Sequence, residues 1–130
     1  PPTARSPAPT IVPTRLLIAD DHELAREGLR ALLERAGGFT VVAEASTGED
    51  AVRAAVALRP DVALVDVRFA RGAMDGLEVA RRIAAEAPGT YVVMVTLHDD
   101  PAYVRAALAA GARGFVTKDA SRSALLAAIA

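Results

Sequence analysis

The sequence has no cysteine and no tryptophan, and aromatic residues make up only 4% of the chain. Without cysteine, disulfides, thiolate metal sites, iron–sulfur clusters and thiol nucleophiles are all excluded. The shortage of aromatic side chains means that the core must be mostly aliphatic. Hydrophobic residues still make up 52% of the chain, which is enough to bury a core and argues against wholesale disorder.

The chain also lacks an excess of positive charge and a long apolar run. Its 15 basic and 16 acidic residues give a formal net charge of -1, which argues against a domain whose main partner is nucleic acid. No apolar run approaches the roughly 20 residues that span a bilayer, and no signal-peptide pattern opens the sequence. We therefore expect a cytoplasmic protein with no membrane contact.

The 130 residues are enough for one domain of ordinary size. Five of the eight prolines fall within the first 13 residues, which carry almost no charge and no periodic pattern. This composition predicts a disordered or extended proline-rich leader over residues 1–13 and a single folded domain over residues 14–130.

From Thr14 onward, short apolar runs alternate with segments of helical period. The apolar runs predict strands at Leu16–Ala19, Thr40–Ala45, Val62–Val65, Tyr91–Val95 and Gly114–Thr117. The other segments predict helices at Glu23–Arg35, Glu49–Leu58, Leu77–Ala87, Ala102–Ala110 and Ser121–Ala130. This alternation predicts an α/β fold, a doubly wound (βα)5 sandwich whose five-stranded parallel sheet has the flavodoxin-like order 2-1-3-4-5.

Polar residues follow four of the predicted strands, namely Asp20 with Asp21, Asp66, Thr96 and Lys118. Ligands of open parallel sheets bind outside the carboxyl ends of the strands, so we expect these side chains to converge. Crowded carboxylates need a cation, and oxygen ligands suit a hard ion such as Mg²⁺. Acids beside a lysine and a hydroxyl favour a phosphoryl group, for which the carboxylate of Asp66 is the natural acceptor.

Five segments extend this pattern along the chain: ADDHELAREGLRALL, VALVD, MDGLEVARRI, YVVMVTLHDD and AGARGFVTKDAS. In this order they resemble the receiver domain of two-component response regulators, in the class with a LuxR-type helix-turn-helix output domain (NarL/FixJ-like). The resemblance covers Arg15 to Ala130. It implies a regulatory phosphoacceptor rather than a metabolic enzyme, with a histidine kinase as partner and a homodimer on activation. DNA would be bound only through an output domain that is absent from this chain.

The resemblance also implies a role for each residue around the acids. Asp66 would accept the phosphoryl group, Asp21 would bind Mg²⁺ directly, and Asp20 would hold a metal-bound water. Arg68 would contribute its backbone carbonyl to the ion. The segment VRFARGAMDG, which contains Arg68, departs from the family because it lacks the usual proline and looks about two residues longer.

Three further residues match positions that the family uses for switching. Lys118 would pair with a phosphoryl oxygen, while Thr96 would swing toward the phosphoryl group and let Phe115 turn inward. Taken singly, they have plainer explanations: a solvated lysine, a β-branched strand end and a core aromatic. Leu97 follows Thr96 where the family commonly has a small residue, so we expect Leu97 to narrow the route to the acceptor and to slow phosphoryl transfer.

Other functions fit parts of the pattern. An atypical receiver could act as a phosphorylation-independent interaction or dimerisation domain, with the altered loop having lost metal binding. An aspartyl phosphohydrolase would typically carry a second aspartate where this chain has Arg68, and a flavodoxin-like cofactor binder would need a phosphate loop after the first strand. His22 and His98 are interpreted as ordinary polar residues, and Asp75 as a turn and helix cap.

Overall fold

The computed structural model describes residues 12–66, 74–96, 101–117 and 129. Within them the chain forms strands β1 (Thr14–Ala19), β2 (Phe39–Ala45), β3 (Val62–Asp66), β4 (Tyr91–Thr96) and β5 (Gly114–Thr117). The helices in the same part of the chain are α1 (Glu23–Ala36), α2 (Gly48–Leu58), α3 (Gly76–Glu86) and α4 (Pro101–Ala109). The strand β1 begins two residues earlier than predicted, and the other ends differ from the prediction by one residue at most.

The predicted fifth helix and the predicted leader fall largely outside the described residues. Of the helix, Ile129 is described, and it is helical and buried. Of the leader, Val12 and Pro13 are described, and both are exposed. The division of the chain at residue 13 therefore stays a prediction.

The five strands form one parallel sheet in the order β2-β1-β3-β4-β5, which confirms the predicted fold. The strand β3 is buried at every residue and β1 at its last four. Such continuous apolar strands are typical of a sheet that is covered on both faces. No helix in the described ranges is long and apolar enough to cross a bilayer.

Alternate side chains of the strands enter two separate cores, one on each face of the sheet. The α1 face buries side chains between the sheet and α1, among them Leu16, Ile18, Leu33, Leu64 and Val93. The α2–α4 face buries a larger set that is rich in alanine, including Leu17, Ala51, Ala55, Val79, Ile83 and Met94. The small alanine side chains let α2 and α3 pack close to the sheet with few aromatic residues.

A β-bulge interrupts the pairing of β1 with β2. Leu16 pairs with Val41, but Leu17 pairs with Ala43, so Val42 is an additional residue in β2. The side chains of a strand alternate between the two faces with a period of two residues. One extra residue therefore moves everything after it to the opposite face.

The core contacts of β2 show this reversal. Before the bulge, Phe39 and Val41 pack on the α1 face. After the bulge, Ala43 packs on the α2–α4 face, as does Ala45. Strict alternation would have put all four residues on one side. Glu44, between the last two, is thereby placed on the α1 face.

Turn and cap residues fix the ends of the helices. Thr47 caps α2, its Oγ1 accepting a hydrogen bond from the Asp50 amide at 3.1 Å. Asp75 caps α3, its Oδ1 accepting from the Glu78 amide at 2.9 Å, which confirms the expected cap. Gly37 follows α1 with a φ of 78°, a conformation that favours glycine.

Two glycines allow segments to approach closely. A Cβ atom on Gly48 would lie 2.8 Å from Cγ2 of Val79 and 2.9 Å from Cβ of Met74, so the start of α2 contacts the start of α3 through its backbone. Gly111, after α4, has a φ of 108°, and a Cβ there would lie 2.7 Å from Cβ of Ala84 in α3.

Candidate functional site

Two neighbouring strands deliver aspartates to the same edge of the sheet. Asp66 is the last residue of β3, and Asp20 directly follows β1. The strands run parallel, and Ala19 pairs with Val65, so the next residue of each strand arrives at the same level of the carboxyl edge. Asp21 follows in the turn that leads into α1.

These aspartates form a cluster with one histidine. One ligand atom from each of Asp20, Asp21, His22 and Asp66 lies within 4.8 Å of all the others, and we name this set the acidic cluster. The aspartates of the cluster have buried side chains: Asp20 is 2% and Asp66 is 7% exposed, and the Asp21 side chain is 4% exposed. Carboxylates this close repel each other unless a positive charge lies among them, and three oxygen donors fit a hard divalent ion such as Mg²⁺.

His22 was missed by reasoning from the sequence, which treated it as an ordinary polar residue. Its Nδ1 lies 2.9 Å from Oδ1 of Asp21 and 3.3 Å from Oδ1 of Asp20. Its backbone amide donates a hydrogen bond to the same Asp20 oxygen at 2.9 Å. The sign that could have revealed it is its position directly after the two aspartates, in the turn that carries them to the sheet edge.

Arg26 of α1 connects this turn to β2. Its Nη1 donates to the backbone carbonyl of Asp20 at 2.6 Å, and its Nε donates to Oε1 of Glu44 at 3.3 Å. Arg30 donates from Nη1 to Oε2 of Glu44 at 2.8 Å. The hydrogen bond that Arg30 donates to Glu44, together with the charge of Glu34, raises the pKa of Arg30 above its ordinary value. Glu44 can make these contacts because the bulge places it on the α1 face.

The remaining predicted site residues are distributed around this edge. Thr96 is the last residue of β4, which pairs with β3 in register up to Asp66, so β4 ends at the same edge as the acidic cluster. Phe115 of β5 is half-buried and packs against the core of the α2–α4 face. Arg68, Leu97 and Lys118 lie outside the described residues, and their contributions to the site stay predictions. His98 also lies outside them.

Comparison with known families and proteins gives consistent matches. The model of the response regulator receiver domain matches residues 16–130. The chain is 40% identical over 115 residues to the transcriptional regulatory protein NarL of Mycobacterium tuberculosis and 39% identical over 114 residues to the response regulator UvrY of Escherichia coli. Both matches cover 88% of this chain, but 52% and 51% of those proteins. The chain thus spans about half the length of the curated relatives it matches.

Solved structures share the fold across nearly the whole chain. The signal receiver domain of the response regulator NarL from Mycobacterium tuberculosis superposes with a TM-score of 0.82 at 39% identity, covering 90% of this chain and 96% of that chain. A LuxR-family two-component response regulator from Aurantimonas sp. SI85-9A1 gives a TM-score of 0.84 at 34% identity, covering 91% and 83%. The similarity therefore extends to the backbone that positions the acidic cluster.

Proposed function

Because the chain belongs to the response regulator receiver domain family, we propose that it is a phosphoacceptor switch of two-component signal transduction, phosphorylated on Asp66 by a histidine kinase with Mg²⁺. One observation carries the proposal: Asp66 is buried at the end of a central strand, with ligand atoms of Asp20 and Asp21 within 4.8 Å. The relatives named above are regulators, so we assign the chain a regulatory rather than a metabolic role.

Asp66 supplies the nucleophile in this proposal. One of its carboxylate oxygens forms a bond to the phosphorus of the kinase's phosphohistidine, the P–N bond breaks, and the leaving imidazole takes up a proton. Its place at the end of β3 holds the reacting oxygen on a rigid element, which favours a fixed line of attack. Its burial limits the water that could compete as acceptor.

Three carboxylates of the acidic cluster, those of Asp20, Asp21 and Asp66, would hold the ion, with the backbone carbonyl of Arg68 as a further ligand. Receiver domains generally bind Mg²⁺ at an acidic pocket, and carboxylates are donors that this ion prefers. When bound, Mg²⁺ would neutralise negative charge on the oxygens of the transferring group. The carboxylates repel each other without it, so the site itself favours uptake of a cation.

The switch would work through residues on β4 and β5. We assign Lys118 to a phosphoryl oxygen and the Thr96 hydroxyl to another, with Phe115 turning inward as Thr96 moves. The position of Thr96 at the end of β4 supports its assigned role. Phe115 is half-buried, so part of its side-chain surface is still exposed and could be buried by an inward turn. Phosphorylation adds charge and acceptor oxygens, which bias a conformational equilibrium only as far as the two states contact them differently.

Receiver domains of response regulators interact with histidine kinases, and we propose the same partner here. The active form would be a homodimer in the cytoplasm that changes transcription. DNA would be bound only through an output domain that is not among these 130 residues, since the formal net charge of -1 gives this chain no overall attraction to a nucleic acid backbone.

Intact-mass spectrometry after incubation with acetyl phosphate and MgCl₂ tests the acceptor. We expect one phosphoryl adduct on the wild-type chain, no adduct on Asp66→Asn, and an unchanged adduct on Asp50→Asn, which removes an exposed carboxylate in α2 outside the acidic cluster. An adduct that survives Asp66→Asn would contradict the assignment. A folded wild-type chain that never gains an adduct would instead favour a phosphorylation-independent interaction domain.

A further inference from the structure

His22 occupies a position for which histidine is an unusual choice. It is the N-cap residue of α1, yet its side chain makes no capping hydrogen bond, whereas serine, threonine, aspartate and asparagine are the common caps. Its ring is 71% exposed, but Nδ1 is directed at the two aspartates rather than at solvent. Neither helix capping nor burial in a core accounts for this side chain.

The contacts of Nδ1 with the two aspartates are a hydrogen bond and ion pairs, and their distances also fit ligands that share one ion. Ligands on adjacent corners of an octahedron with bonds of about 2.1 Å lie about 3.0 Å apart. Nδ1 lies 2.9 Å from Asp21 Oδ1 and 3.3 Å from Asp20 Oδ1. All four members of the acidic cluster also have a ligand atom within 4.8 Å of the others, which is slightly more than the separation of opposite corners.

We propose that Nδ1 of His22 is a fourth metal ligand, so that the acidic cluster takes late first-row divalent ions such as Co²⁺ with an added nitrogen bond, besides Mg²⁺ through its carboxylates. Imidazole binds Co²⁺, Ni²⁺ and Zn²⁺ well but adds little for Mg²⁺, which prefers oxygen. This inference rests on the proposed function only in sharing its three carboxylates. It makes the identity of the bound ion a property that His22 controls.

Calorimetric titration of the full chain with CoCl₂ and, separately, with MgCl₂ tests the ligand. The variant His22→Asn keeps a good N-cap residue and removes the imidazole. We expect its Co²⁺ affinity to fall roughly tenfold or more, as for loss of a group that supports a metal site, while its Mg²⁺ affinity changes by less than about twofold. Far-UV circular dichroism of the variant checks that the fold is kept.

Glu23→Gln is the matched control. Glu23 is the exposed neighbour of His22 in the first turn of α1 and lies outside the acidic cluster. Removing the charge of Glu23 weakens the electrostatic attraction for every divalent cation alike, so Glu23→Gln should lower the Co²⁺ and Mg²⁺ affinities by the same factor. Only loss of a nitrogen ligand changes their ratio.

Pulsed EPR of the chain loaded with Cu²⁺, an ion that imidazole suits, gives a second readout that does not depend on phosphorylation. We expect ¹⁴N modulation from a bound imidazole in the wild-type chain and its loss in His22→Asn. Absence of nitrogen coupling in the wild type, or equal loss of Co²⁺ and Mg²⁺ affinity in His22→Asn, would overturn the inference and leave His22 as a hydrogen-bond partner of Asp20.

The outcomes separate this inference from the proposed function. If the wild-type chain binds Mg²⁺ and gains the Asp66 adduct but His22→Asn does not alter metal preference, only the inference is wrong. If the chain binds Co²⁺ through His22 but never gains an adduct on Asp66, the inference stands and the proposed function fails.

Discussion

Replacing Gly48 by alanine should destabilise the chain, although alanine is the better helix former. The added Cβ would lie 2.8 Å from Cγ2 of Val79 and 2.9 Å from Cβ of Met74, with the Met74 carbonyl oxygen at 3.0 Å. Overpacking of a filled site typically costs about 1–3 kcal/mol, against a gain of about 0.5–1 kcal/mol for alanine over glycine in a helix. We expect the free energy of unfolding to fall by about 1–2 kcal/mol.

The chain offers its own control for this prediction. Gly28 lies inside α1, and a Cβ there would meet no atom within 4 Å, so Gly28→Ala should raise the free energy of unfolding by about 0.5–1 kcal/mol. Urea unfolding followed by far-UV circular dichroism measures both variants, with the midpoint shifting at constant slope. If Gly48→Ala proved as stable as Gly28→Ala, this result would contradict the close approach of α2 and α3 at Gly48.

Three other predictions concern the periphery of the site and the helices. Arg26→Gln and Glu44→Gln should couple by about 1 kcal/mol in a double-mutant cycle of urea unfolding, whereas additive losses would contradict their contact. Gly111→Ala should lower the melting temperature, because Gly111 has a positive φ that alanine adopts only with strain. The free energy of unfolding should fall by more than about 1 kcal/mol, and an unchanged melting temperature would refute this. The hydrogen bond from Arg53 lowers the pKa of Asp50 in the folded chain. The stabilisation that ionised Asp50 contributes is therefore present above the pKa of Asp50 in the unfolded chain, and it is lost as the pH falls through the pKa of Asp50 in the folded chain. The stability difference between wild type and Asp50→Asn should therefore shrink on acidification, and a pH-independent difference would count against it.

The strands and three of the site's carboxylates could be predicted because they follow from local rules. An apolar run such as VALVD is buried wherever it pairs in the sheet, and residues after parallel strands share one edge. Asp20, Asp21 and Asp66 therefore came together from strand order alone. The caps at Asp75 and Gly37 were also predictable, because each depends on a few neighbouring residues.

The bulge and the role of His22 could not be predicted, for a different reason. Each residue of the run VVA in β2 is apolar and can pack on either face of the sheet. The sequence therefore does not reveal which residue of the run is the extra one. The position of the bulge decides on which face Glu44 lies, and so it decides the partners of Glu44. His22 needed the conformation of the turn after Asp21, which composition and spacing do not determine.

The odd residue in β2 has a consequence for any insertion or deletion in this edge strand. Because Val42 is the additional residue, removing it alone would leave Leu16 opposite Val41 and Leu17 opposite Ala43. Regular alternation would then keep Phe39 and Val41 on the α1 face and Glu44 beside Arg26. A strand with one buried face usually tolerates insertions and deletions only in steps of two residues. At this bulge, the loss of a single residue is tolerable.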